Sequence, residues 1–384
     1  MANSVKKHPP MPEEKLKRLQ DYWKNGTSAA GLPEEVVSHL SRMKTMGGEG
    51  IDMMSGLNKD YLGSFMSPLS RDLENADLVV VGLPFEKAAP MQASHKFGPS
   101  AIRKLSKNKM GTTEPWNGGW DIPFDECRII DYGNVDTYGQ FDLSAEMEVV
   151  LQHMNRIVTE HGCDTLVFGG DHTTSYAPIN VLGKKYGPLG LIHFDAHYDL
   201  VTYADFPYPY HSGNQFTKNM SEGLLDPERM ITMGIRGPMT ALVGGHAKNL
   251  GVTALMADDC RDIDPKDMAD QIINVVGEGP TYLSFDLDAL DSCTNASSSA
   301  VEPFGLDHIW TYDVLKHLRL SNRIDLVGGD VVEYAPYMDP TLKDGYLAAA
   351  YAWFLLRWLA TEVSRRAGEK RLTQWPQGFG AVSL

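Results

Sequence analysis

Three short clusters of carboxylates and imidazoles stand out in this chain. They are Gly169-Gly170-Asp171-His172-Thr173-Thr174-Ser175, Asp195-Ala196-His197-Tyr198-Asp199 and Ser284-Phe285-Asp286-Leu287-Asp288-Ala289-Leu290-Asp291. In the second, residues i, i+2 and i+4 of an extended segment share one face, which makes two carboxylates and an imidazole converge. In the third, Asp286 and Asp288 share a face while Leu287 turns back into the core. Carboxylates placed side by side repel one another unless a cation lies between them. Together, His172, Asp195, His197, Asp199, Asp286 and Asp288 offer hard oxygens and imidazole nitrogens, a donor set for Mn, Co, Ni or Zn rather than for a thiolate-loving metal. Six donors are too many for one catalytic ion that keeps an open position. They suit two divalent ions bridged by carboxylates, about 3.5–4 Å apart. Singly, each cluster has an ordinary reading: a structural histidine, a hydrogen-bonded turn, a capped helix start.

These residues need a scaffold that brings them to one edge, and the flanking sequence supplies it. Short apolar runs occur at Leu78–Gly82, Arg128–Asp131, Thr165–Phe168, Gly190–Phe194, Met230–Ile235, Thr281–Phe285 and Ile324–Val327. Helical stretches separate many of them, including Ser144–His161, Asp264–Val276 and Gly345–Arg366. Continuous apolar strands alternating with helices indicate a parallel sheet covered on both faces. In such sheets ligands bind beyond the C-terminal strand ends, and each cluster follows directly on a strand.

Residues 1–75 read as a helical N-terminal extension, with helices expected at Pro12–Trp23 and Pro33–Met43 and a break at Gly47, Gly48 and Gly50. Residues 76–384 read as one α/β domain. The formal net charge of −15 disfavours nucleic acid and suits a cationic ligand. Cys127, Cys163, Cys260 and Cys293 are scattered without a C-x-x-C pair, as in free thiols of a reducing compartment. The most apolar stretch, Leu347–Ala360, is interrupted by Arg357 and is too short to span a bilayer. No signal-like apolar core follows the N-terminus. A soluble, cytoplasmic protein without a membrane partner is expected.

The three clusters resemble, in order and spacing, the metal-binding motifs of the arginase/agmatinase (ureohydrolase) family. Gly82-Leu83-Pro84-Phe85, Phe97-Gly98-Pro99-Ser100-Ala101-Ile102-Arg103, Gly234-Ile235-Arg236-Gly237 and Asp330-Val331-Val332-Glu333-Tyr334-Ala335-Pro336 are similar to further motifs of that family, so the resemblance spans about residues 77–366. It implies a three-layer arginase-like fold and hydrolysis of a guanidinium group by a metal-bridging hydroxide. Carried over by position, Asp195 and Asp286 bridge both ions, His172 and Asp199 complete one shell, and His197 and Asp288 the other. Glu333 corresponds to the guanidinium-binding glutamate, Asp199 to the group that relays a proton, and His211 lies near the proton-shuttle histidine.

Two departures bear on the substrate. Val201 stands where arginases carry an Asn that holds the amino-acid carboxylate, and Asp291–Ser299 lacks the usual Pro and Gly-rich loop. The segment Tyr203–Tyr210 is rich in aromatics; Tyr203, Phe206 and Tyr208 are candidates to close over a small cation, or to pack a subunit interface. These features look most like the guanidine hydrolase branch. That resemblance implies free guanidine as substrate, Ni2+ in place of the family's usual Mn2+, and a homo-oligomer, expected as a hexamer. Agmatine, a guanidino acid or a substituted biguanide such as metformin are the alternative substrates. A one-zinc deacetylase-like enzyme and a non-catalytic stabilising subunit are the rival readings.

Overall fold

The computed structural model describes residues 11–25, 64–67, 69–89, 93–106, 123–137, 142–238 and 240–368. The expected helix at Pro33–Met43 and the glycine break lie outside them. The first expected helix runs from Glu13 to Asn25, with Glu13 and Glu14 in its first turn, where negative charge favours helix start. It belongs to a separate unit, Met1–Asp52.

Within the second unit, eight strands form one sheet in the order β2-β1-β3-β8-β7-β4-β5-β6. They are β1 (Leu78–Leu83), β2 (Ile129–Asn134), β3 (Asp164–Gly169), β4 (Leu189–Phe194), β5 (Leu225–Ile235), β6 (Thr253–Met256), β7 (Pro280–Asp286) and β8 (Asp325–Val332). Every pairing is parallel. Seven correspond to the apolar runs seen in the sequence. The eighth, β6, is a four-residue edge strand of half-buried residues, and its pattern is too short and too mixed to announce itself.

Side-chain alternation divides the core into two layers. In β1, Leu78 and Val80 join one apolar cluster while Val79, Val81 and Leu83 join the other. The first layer is covered by helices Gly98–Ser106, Pro265–Val276, His308–Ser321 and Lys343–Arg366. The second is covered by helices Leu143–Asn155, Tyr176–Tyr186, Gln215–Ser221 and Thr240–Leu250. The apolar stretch Leu347–Ala360 lies within the 24-residue helix Lys343–Arg366, where Trp353, Leu356, Trp358 and Leu359 are at most 2% exposed. Burying each such side chain contributes about 1.5–3 kcal/mol. Among the described residues no helix is long and apolar enough to cross a membrane.

Residues 64–67 and 69–75, expected in the extension, pack on the main sheet. The Ser64 amide donates to Asp131 Oδ2 at 2.6 Å, Leu69 bridges to Asp131, and Phe65 packs 5.0 Å from the Trp353 ring. Asp131 is fully buried within β2 and is held by Arg103 Nε at 2.7 Å and Nη2 at 3.1 Å. This ion pair ties the second strand to helix Gly98–Ser106.

Candidate metal centre

The four central strands β3, β8, β7 and β4 are neighbours, and their C-terminal ends carry the three clusters and Glu333. After β3 the chain turns through Gly169 and Gly170. A Cβ on Gly170 would lie 1.9 Å from the Phe85 carbonyl oxygen, so only glycine lets this turn pass so close. Asp171 then caps a short 3-10 helix, His172–Ser175, by accepting the Thr173 amide at 3.0 Å. That places His172 on the sheet edge, 1% exposed.

The His172 Nδ1 atom is buried without a hydrogen-bond partner. Three carboxylate oxygens surround it: Asp195 Oδ2 at 3.1 Å, Asp199 Oδ2 at 3.0 Å and Asp286 Oδ2 at 3.1 Å. A second group faces it: His197 Nδ1 lies 3.3 Å from Asp195 Oδ1 and 3.2 Å from Asp288 Oδ2. Asp195 thus offers one oxygen to each group, the arrangement expected of a bridging ligand. The second oxygens of Asp286 and Asp288 are tied to the backbone. Asp286 Oδ1 accepts the Asp288 amide at 2.8 Å, and Asp288 Oδ1 accepts the Ala196 amide at 3.0 Å. The capped-start reading of the third cluster therefore holds together with the ligand reading: Asp286 caps the turn Leu287–Ala289 with one oxygen and presents the other.

Charge crowding in this site is severe. Burial, reinforced by the Asp288 and Asp195 charges, pushes Asp286 well above the ordinary carboxylate range. Burial, with Asp195 beside it, pushes Asp288 up to about 6. Burial would lower His172 and His197, but the surrounding carboxylates reverse this: His172 is driven well above its usual value and His197 up to about 12. A donor set with an orphaned imidazole nitrogen and repelling carboxylates fits two divalent cations.

The expected convergence of Asp195, His197 and Asp199 on one face of an extended segment is corrected by the backbone. Asp199 has φ 52°, a left-handed conformation that swings its carboxylate to His172 while His197 turns to Asp288. Glu333 has φ 62°, and such conformations cost non-glycine residues of order 1–3 kcal/mol. Its Oε1 accepts the His172 amide at 2.8 Å, while its own amide donates to the Gly170 carbonyl at 2.9 Å. Burial would raise the Glu333 carboxyl, but His95 and the His172 amide hold it below the usual range.

Several residues that build the site were not legible in the clusters themselves. His95, completely buried, places Nε2 2.9 Å from Glu333 Oε2. His193 in β4 spends Nδ1 on Thr232 Oγ1 and Nε2 on Asp195 Oδ2, each at 2.9 Å, so both ring nitrogens are engaged in orienting rather than free to ligate. A polar His two residues before Asp195 in an apolar strand was the available signal. Ser284 Oγ lies 2.9 Å from His172 Nε2 and donates to Asp330 Oδ1 at 2.7 Å. Arg236 donates to the carbonyls of Asp288, Leu290 and Glu302, pinning the two loops beside Asp288. Gly237 lies against His197: a Cβ there would meet its ring Cδ2 at 2.3 Å.

A cleft of ≈ 470 Å³ opens over the centre, lined by His172, Asp195, His197, Asp199, Asp286, Asp288 and Glu333, and higher up by Val201, His211, Pro238, Val243 and Glu302. His211 is therefore at the cleft, stacked on Phe206 with ring centroids 5.8 Å apart. Its Nδ1 accepts the Gly213 amide at 2.9 Å, and burial lowers its pKa. With Nδ1 accepting that amide, the neutral ring carries its proton on Nε2 and presents a donor. Tyr203 and Tyr208, candidates either to close over the substrate or to pack a subunit interface, are 65% and 58% exposed and line a separate groove with Thr217 and Lys218. Phe206 reaches the cleft only through His211.

Residues 76–356 match the family model described as the arginase family. An agmatinase of Chromobacterium violaceum is 32% identical over 308 residues, covering 79% of this chain and 90% of that protein. The human mitochondrial guanidino acid hydrolase is 31% identical, covering 73% of this chain and 78% of its own length. The crystal structure of a hypothetical agmatinase from Burkholderia thailandensis superposes with a TM-score of 0.70 at 30% identity, covering 81% of this chain and 92% of that one.

Proposed function

The chain belongs to the arginase family and is a hydrolase of guanidino C–N bonds, and from that premise we propose that its substrate is free guanidine, converted with water to urea and ammonium. One observation carries this reading. The cleft joins the carboxylate-rich centre to a buried Glu333, and among its described lining residues there is no Lys or Arg. A guanidino acid would need a cationic or an amide side chain to hold its carboxylate, and Val201, standing where arginases carry an Asn, offers neither. The upper wall of Val201, Pro238 and Val243 gives a small planar cation apolar cover. A second reading, agmatine, is favoured by Glu302 in the lining of the cleft, where a distal ammonium would find a charge partner, and by the name of the Chromobacterium violaceum relative, whereas the human relative's name points to a guanidino acid.

In this reading His172, Asp195, Asp199 and Asp286 would hold one divalent ion, and His197 and Asp288, together with Asp195 and Asp286, would hold the other. Nickel is the ion we favour and manganese the alternative. When bound, such ions supply a nucleophile at neutral pH by lowering the pKa of water from about 15.7 towards 7. The chain's residues do the rest. Glu333, ionised and fixed on the His172 amide, accepts N–H bonds from the planar cation and sets its orientation, as charge-assisted bonds do well. Asp199 takes the proton from the attacking water and passes it to the departing nitrogen. His211 contributes a hydrogen-bond donor at the cleft wall. Guanidinium and water together carry +1, as do urea and ammonium, so no further co-reactant is needed. A homohexamer in the cytoplasm completes the proposal; the four unpaired cysteines are consistent with that compartment.

The test is direct. Protein loaded with nickel or with manganese is incubated with guanidine, agmatine, arginine, guanidino acids and metformin, and urea and ammonia are measured. Turnover of guanidine above all others, best with nickel, supports the reading. Preference for agmatine transfers the role to Glu302, and inactivity with both ions bound points to a non-catalytic subunit.

A further inference from the structure

The deepest polar group behind Glu333 is His95, and its Nε2 atom has two neighbours that it cannot serve at once. Glu333 Oε2 lies 2.9 Å away and can only accept; the Ser299 amide lies 3.2 Å away and can only donate. With a proton on Nε2 the ring donates to Glu333. Without it, the lone pair accepts from Ser299. The other ring nitrogen, Nδ1, is buried without a hydrogen-bond partner, and the nearest carboxylate oxygen, Glu86 Oε1, is 3.7 Å off.

The charged surroundings of His95 come from every element packed on it. Glu86 follows β1 and accepts the amides of Ser94 and His95, with Lys96 Nζ 3.8 Å from its second oxygen. Asp171 follows β3, Ser299 lies in the loop after β7, and Glu333 follows β8. Burial would lower the His95 pKa, but Glu333, Asp171 and Glu86 together raise it above the ordinary histidine value. His95 is therefore protonated over a wider pH range than an ordinary histidine, and in that form it pairs with the Glu333 carboxylate.

We propose that His95 is a positioning residue that acts as a proton latch on Glu333, releasing one proton when a planar cation takes its place on that carboxylate. This rests on Glu333 being the cation-binding group. A guanidinium on Glu333 would stand beside His95 as a second positive charge on one carboxylate, and like charges disfavour each other's ionised forms. His95 loses its Nε2 proton to solvent, accepts the Ser299 amide instead, and leaves Oε2 to the ligand. Linkage then fixes the sign. Cation affinity rises with pH by up to about tenfold per unit while His95 is protonated in the free protein, and levels off above that range.

The experiment uses metal-loaded protein and acetamidinium chloride, a planar cation with a full positive charge across this pH range, titrated calorimetrically at pH 7 in two buffers of different ionisation heat. The wild type is expected to release about one proton per site, and His95→Gln none. No release by the wild type, or undiminished release by His95→Gln, overturns the latch, the latter because the proton then comes from elsewhere. If His95→Gln does not fold, the pH dependence of wild-type affinity decides: a flat profile from pH 6 to 8 overturns it. Glu333→Gln separates the two levels of argument. If it binds acetamidinium as the wild type does, the cation-site reading and the latch both fall; if it loses binding while the wild type releases no proton, only the latch falls.

Discussion

The side-chain amide of Gln215 donates to Asp199 Oδ2 at 2.5 Å, fixing a carboxylate whose own backbone is in the left-handed region. Gln215 is 1% exposed and begins the helix Gln215–Ser221, which packs Phe216 against His172 and His193. One helix start thus steadies both the imidazole and the carboxylate of the same group. Replacing Gln215 with Leu keeps the volume and removes the donor. The expected result is a fall in kcat of about ten- to a hundredfold, with Tm nearly unchanged; an unaltered kcat would remove Asp199 from the proton-transfer role.

The Ser284–Asp330 link predicts a different effect. Ser284 sits behind His172, and Asp330 also accepts the Tyr282 hydroxyl at 2.9 Å. Ser284→Ala frees the His172 ring to turn. Metal affinity measured by competition with a chromogenic chelator should drop about ten- to a hundredfold, while the KM of fully loaded protein stays close to wild type.

Metal removal should be visible as stability. Ions that bind only the folded chain stabilise it by about 2.7–4.1 kcal/mol at 100–1,000 times their dissociation constant. For a domain of this size that corresponds to a Tm lowered by about 4–6 °C on treatment with a chelator. Asp286→Asn relieves part of the charge crowding, so the chelated variant should melt above the chelated wild type. Equal Tm values would mean that the crowding is already relaxed without ions.

The Arg103–Asp131 pair makes a pH prediction away from the site. Burial would raise Asp131, but Arg103 and the amides of Ser64 and Gly133 bring its folded pKa below the usual value. A depressed carboxylate stabilises the fold fully above its unfolded pKa of about 3.9, and this is lost as pH falls through the folded value. Arg103→Met leaves Asp131 buried without its partner and should cost about 3–5 kcal/mol at pH 7 in urea denaturation. The deficit should shrink below pH 4, where acid has already weakened the wild type.

The sequence announced the candidate metal centre because its donor residues sit in compact motifs directly after apolar strands, and parallel sheets collect such motifs on one edge. His172, Asp195 and Asp286 needed only strand assignment to be brought together. Gln215, His95 and Ser299 were harder. Each has an ordinary residue type, and each reaches the site from a loop or helix start whose path no periodicity describes. The direction of Asp199 was also hidden, because an alternation argument assumes extended backbone and this residue departs from it. Tyr203 and Tyr208 show the reverse case: aromatic composition suggested a lid, while the turn between Thr202 and Asp205, closed by the Thr202 amide and hydroxyl on Asp205 Oδ2, directs the tyrosines outward.

The left-handed backbone at Asp199 and Glu333 sets a limit on transplanting this chemistry. Copying the six donors and the glutamate onto another parallel sheet would deliver relaxed loops, and the two carboxylates would point elsewhere. A working graft has to import what forces those two residues out of their preferred conformation: the Gly170 carbonyl that captures the Glu333 amide, and Gln215 anchoring Asp199. The same limit applies to evolutionary drift. At these two positions a change to a β-branched residue would be rejected for its backbone as firmly as for its missing charge, so tolerance to substitution there should favour Asn and Gly on conformational grounds even in variants that have lost activity.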